Sequence, residues 1–80
     1  MKKNNLLKDL TAVYDNYGTV LELDGSLDSA LFYYEKGLQL KYKLSDSIGI
    51  PYSLNHLATL HAYKGNFDKA FDYMAESDSY

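Results

Sequence analysis

Leu7, Leu10, Tyr14, Tyr17 and Leu21 recur at steps of three or four residues, with Gly18 beside Tyr17. That spacing predicts an amphipathic helix. Asn4 or Asn5 stands where a cap would start it. Gly25 is expected to end it, because glycine accepts the left-handed conformation that closes helices. Ser26 is then placed to cap a second helix, with Asp28 in the first turn, near the positive end of the helix dipole. Leu27, Ala30, Leu31, Tyr34 and Leu38 form the inner stripe of that helix. The stretch "LSDSIGIP", residues 44–51, breaks the pattern. Asp46 or Ser47 is the candidate cap there, and Pro51 suits a first helical turn, where its missing N–H is not needed. Leu54, Leu57, Ala58 and His61 share a face of a third helix. Gly65 ends it, Asn66 caps a fourth, and Phe67, Ala70, Phe71 and Met74 make the fourth stripe. No segment alternates with period two for long enough to make a strand. The expected fold is all-α: two stacked antiparallel helix-turn-helix hairpins, with residues 1–80 as one domain.

The chain repeats itself. "DGSLDSAL" at 24–31 and "KGNFDKAF" at 64–71 share Gly25 and Gly65, Asp28 and Asp68, and Ala30 and Ala70. Ser26 and Asn66 are both polar, and Leu27 and Phe67 both large and apolar. A joint of one glycine and one cap forces each helix pair into an antiparallel hairpin. Around it, Tyr14, Tyr17-Gly18, Leu21, Gly25, Leu27, Ala30 and Tyr34 correspond to Leu54, Leu57-Ala58, His61, Gly65, Phe67, Ala70 and Met74. In that order the residues resemble a tetratricopeptide repeat, taken twice, at roughly 6–45 and 46–80. The spacing from Gly25 to Gly65 is 40 residues (65 − 25), against about 34 in the usual unit. The extra length lies in a longer second helix and in "LSDSIGIP". Tyr42 stands where a proline commonly closes the unit, and His61 where a tyrosine or apolar residue is usual. The longer unit is similar to repeats of bacterial signalling proteins and motor light chains, to which "SLNHLA", residues 53–58, is close.

Composition narrows the function. The net charge is −3, from 11 acidic and 8 basic residues, and every basic residue is a lysine. Without arginine or a basic patch, nucleic acid is not expected as a partner. No cysteine is present, which removes disulfides and thiolate metal sites. The basic opening "MKKNNLLK" leads into no long apolar run, so neither a signal peptide nor a membrane span is expected, and the cytoplasm is the default compartment. Nine tyrosines suit half-buried seams and binding surfaces, having an apolar body and a polar tip.

Stacked helical hairpins line a concave face with their first helices. The helical rotation puts Lys8, Ala12, Asp15, Thr19 and Glu22 of the first helix there, and Tyr52, Asn55, Thr59, Ala62 and Tyr63 of the third. The resemblance implies that this groove holds an extended peptide or a partner helix. It implies a contact role for Asn55, whose amide both donates and accepts. Tyr52 and Tyr63 would add flat apolar area, or pack against a neighbouring repeat or subunit. Asp15 and Glu22 would favour a basic ligand end, or form an ordinary solvated face. Val20 and Leu60 lie on the opposite flank, where contact with adjacent helices is expected. His56 and His61 are five apart and share no helical face in the manner of paired ligands. His61 falls in a core stripe. No metal site, cofactor, nucleophile or phosphate loop is expected, and so no catalysis.

The function expected from sequence is therefore a non-catalytic protein-interaction module, which the resemblance makes a sensory or scaffolding segment of a signalling protein. Its groove residues are Asp15, Thr19, Glu22, Tyr52, Asn55, Thr59 and Tyr63. Self-assembly is the alternative. Solenoids usually need three or more repeats and a polar outer side on the last helix. Two repeats are expected to leave terminal faces for a longer array or for a second copy to cover.

Overall fold

The computed structural model describes residues 3–80, with side chains from Leu6 onward. Four helices follow in order: α1 (Lys3–Asp24), α2 (Leu27–Lys43), α3 (Gly49–Tyr63) and α4 (Phe67–Asp78). The first two and the last two pair as antiparallel hairpins, and α2 packs on α3 to stack one hairpin on the other. Among the described residues there is no strand.

All three joints close the same way. After each of α1, α2 and α3, an N–H reaches back five residues: Ser26 to Leu21 O at 2.9 Å, Asp46 to Lys41 O at 3.0 Å, and Asn66 to His61 O at 2.8 Å. This is the Schellman closure, and it puts one residue in left-handed geometry. Gly25 and Gly65 hold it at φ +85° and +82°. At the middle joint Ser45 holds it instead, at φ 53°.

The starts of the helices differ from expectation in detail. α1 is already helical at Lys3, so Asn4 and Asn5 fall within it and not at a cap; their side chains lie outside the described residues. Ser26 and Asn66 occupy cap positions without side-chain cap bonds. Ser26 Oγ donates instead to Asp24 at 2.9 Å. At α3 the cap position falls to Ile48, which makes no side-chain cap bond; the expected Asp46 stands two residues earlier, its carboxylate accepting from Gly49 N–H at 2.9 Å. Pro51 sits in the first turn, as its chemistry favours.

The core lies between the hairpins. Ala30, Tyr34 and Leu38 of α2 meet Ile50, Leu54, Leu57 and Leu60 of α3. Within the first hairpin α1 approaches closely because Gly18 has no side chain: a methyl there would stand 3.0 Å from the Tyr34 ring. The outer stripes are less covered than their periodicity predicts. Leu10 and Tyr17 of α1 are exposed, and on α4 only Ala70 is buried, while Phe67, Phe71 and Met74 face solvent. These helices have a neighbour on one side only. Val20 is exposed for the same reason, whereas Leu60, its counterpart on the inner helix, is buried.

Candidate functional site

The seven groove residues separate into three places. Asp15 and Tyr52 line a pocket of about 490 Å³ between α1 and α3, closed at one end by the α2–α3 connection. Ala12, Leu44 and Ile48 supply much of its apolar wall, and Lys8 and Asp46 its charged rim. Ile48 is 86 % exposed at the lip.

Lys41, at the end of α2, forms part of this pocket. Its side chain is only 4 % exposed. The ammonium donates to Asp15 Oδ2 and to Ser53 Oγ, both at 2.6 Å, and lies 4.9 Å from the centre of the Tyr52 ring. One lysine thus ties α1, α2 and α3 together. A buried charge needs this many partners, because its desolvation is costly when it is unpaired. Asp15 Oδ1 is buried without a hydrogen bond, pressed against α2 where Gly37 leaves room; a methyl on Gly37 would stand 2.9 Å from it. Lys41 was not among the expected site residues, although the spacing Tyr34, Leu38, Lys41 continues the inner stripe of α2.

Thr19 and Glu22 form the second place. They bind the fully buried Tyr34 and do not face a free groove. The Tyr34 hydroxyl donates to Glu22 Oε1 at 3.1 Å and lies 3.0 Å from Thr19 Oγ1. His56 stacks on the Tyr34 ring at 4.8 Å and sets Nδ1 3.3 Å from the same Glu22 oxygen. Burial, reinforced by the Glu22 carboxylate and partly offset by Thr19, pushes the Tyr34 phenol up to about 12.

Asn55, Thr59 and Tyr63 occupy the third place. With Ala58, Ala62 and Met74 they line a shallower hollow of about 330 Å³ between α3 and α4, on the far end face of the molecule. Asn55 and Tyr63 are exposed, and the Thr59 hydroxyl donates to Asn55 O at 3.0 Å.

His61 is buried in the second hairpin, as its stripe predicts. It stacks on Tyr73 at 5.5 Å, and Asn66 Nδ2 lies 3.4 Å from its Nδ1. Burial lowers its pKa, helped by the charge of Lys69. Among the described residues no group of His, Asp and Glu is arranged to hold a metal ion, and no helix is long and apolar enough to cross a membrane.

The four-helix arrangement defines a protein of two stacked α-hairpins. Compared with family models, curated proteins and solved structures, the chain matches none.

Proposed function

We propose that this chain is a protein-interaction module of the tetratricopeptide kind, binding a peptide segment or partner helix along its first-helix groove, without catalysis. The observation that supports the reading is the pocket between α1 and α3. It is concave, walled by apolar groups and edged by a few charges, which is the usual make-up of a recognition site. Its floor is rigid, because Lys41 is held by Asp15 and Ser53. A large apolar side chain of the partner would seat between Ala12, Leu44 and Tyr52, with Ile48 folding over it.

The test begins with selection of binding peptides from a displayed random library. The affinity of a selected peptide is then measured by fluorescence anisotropy against Ala12→Glu, Tyr52→Ala and Asn55→Ala chains. The first two substitutions are expected to weaken binding at least about tenfold, the cost of losing one anchoring contact, with helicity unchanged. Asn55→Ala should weaken it if the peptide continues along α3. Undiminished affinity in both pocket variants would rule the pocket out as the binding site.

A further inference from the structure

The repeat register of 40 residues allows each exposed apolar residue to be compared with a buried counterpart. On α3, Ile50, Ser53, Leu57 and Leu60 are buried on the helix face that meets the first hairpin. Forty residues earlier, α1 has Leu10, Val13, Tyr17 and Val20. All four are apolar or aromatic, and all are exposed. Leu60 is 0 % exposed and Val20 62 %. The opposite end shows the converse. Leu27, Leu31 and Tyr34 of α2 pack on the core that α3 shares. Their counterparts on α4 are Phe67, Phe71 and Met74, again apolar and again exposed; Tyr34 is 0 % exposed and Met74 50 %. The hollow beside Met74 lies between α3 and α4, and its Ala58 and Thr59 are counterparts of Gly18 and Thr19 in the first hairpin.

One face therefore carries apolar residues at the register positions by which α3 docks, and the other at those of the groove that receives it. Both are on the same chain. We infer that a second copy of this chain docks head-to-tail, its α1 seated in the groove between α3 and α4 of the first, in the register of the internal α2–α3 contact. The surface is heterologous, so each docked copy presents a new free groove, and copies add successively into an open filament where the rotation between them does not close a ring.

The register makes one prediction that a nonspecific hydrophobic contact would not. Inside the chain, Lys64 forms an exposed ion pair with Asp28 across the hairpins. Between copies the counterparts are Asp24 of the incoming chain and Asp68 of the receiving one, which repel. Asp24→Lys restores the internal pattern. It also puts a cation at the C-terminus of α1, which the dipole favours, so the fold should be retained.

Sedimentation equilibrium and light scattering across the micromolar-to-millimolar range test the inference on the chain of residues 1–80. Mass is expected to rise continuously with concentration. Asp24→Lys should tighten the association about fivefold at low salt, the scale of one exposed ion pair, and adding Asp68→Lys to it should reverse the gain. Val20→Glu and Met74→Glu, both at exposed positions, should each give monomers, and an equimolar mixture of the two should give a 1:1 dimer through the one intact pair of faces. A wild-type chain that stays monomeric at millimolar concentration would assign both faces to other occupants and overturn the inference. So would an unchanged affinity in Asp24→Lys, or a closed dimer that Val20→Glu breaks and Met74→Glu does not. None of these readouts involves the peptide pocket.

Discussion

Lys41 is the residue whose role is least like its type. Lysine near the end of a helix ordinarily favours the dipole and solvent. This one is buried, with Asp15, Ser53 and Tyr52 around it. Breaking a buried pair leaves a charge without a partner, whereas replacing both members with apolar groups is often harmless. Lys41→Met is therefore expected to destabilise the fold by about 3 kcal/mol, and Lys41→Met with Asp15→Leu to recover most of that. Urea denaturation of the two variants checks it; equal losses would mean that packing around the lysine stem, not charge, sets the cost. Gly37 belongs to the same contact. Gly37→Ala places a methyl against Asp15 Oδ1, and a loss of about 1–3 kcal/mol is expected from such overpacking, measured in the same way. The sequence pattern placed Asp15 on the groove face but not its partner. Charge and periodicity pointed in different directions at residue 41, and charge is the weaker guide once a lysine falls on an apolar stripe.

At the scale of helices and joints, far more was legible. The four helices, the two glycine stops and the place of Pro51 all follow from local chemistry, which the chain expresses over a few residues at a time. What periodicity does not report is whether anything covers the face it identifies. Leu10, Phe67, Phe71 and Met74 keep the right spacing and are exposed. The middle joint was hidden for a related reason: Ser45 carries no sequence mark of left-handed geometry. Its backbone at φ 53° costs an L-residue about 1–2 kcal/mol. Ser45→Gly is thus expected to stabilise the chain by about 1 kcal/mol, seen as a rise of about 4–8 °C in Tm for a domain of this size. Gly25→Ala, the reverse change at a joint of the same geometry, should lower Tm by a similar amount. A thermal melt followed by circular dichroism measures both. No change in Ser45→Gly would mean that the serine is already relaxed in that conformation.

The whole molecule is bounded on the pH axis by groups in its two hairpins. His61, in the second, has its pKa lowered from the ordinary 6.5 by burial. The unfolded chain therefore takes up a proton there before the folded chain does. Stability contributed by the neutral ring is complete above about pH 6.5 and declines as pH falls from 6.5 toward the lowered folded value. Tyr34, on α2 of the first hairpin, has its pKa raised from 10 to about 12, chiefly by burial. Here the unfolded chain loses the proton first. The stability of the buried neutral phenol is complete below pH 10 and declines as pH rises from 10 to about 12. Tyr73, half-buried and donating to Glu35, is shifted upward too, so the alkaline limb is expected to be the steeper. Since α2 and α3 share one core, loss of either hairpin removes the support of the other, and both limbs should appear in one cooperative transition. Urea melts from pH 5 to 11 should show a plateau between them. His61→Phe, which keeps a stacked ring beside Tyr73 without a titrating nitrogen, should flatten the acid limb and leave the alkaline one unchanged. An acid limb of undiminished slope in that variant would place its origin in the carboxylates rather than in the buried histidine.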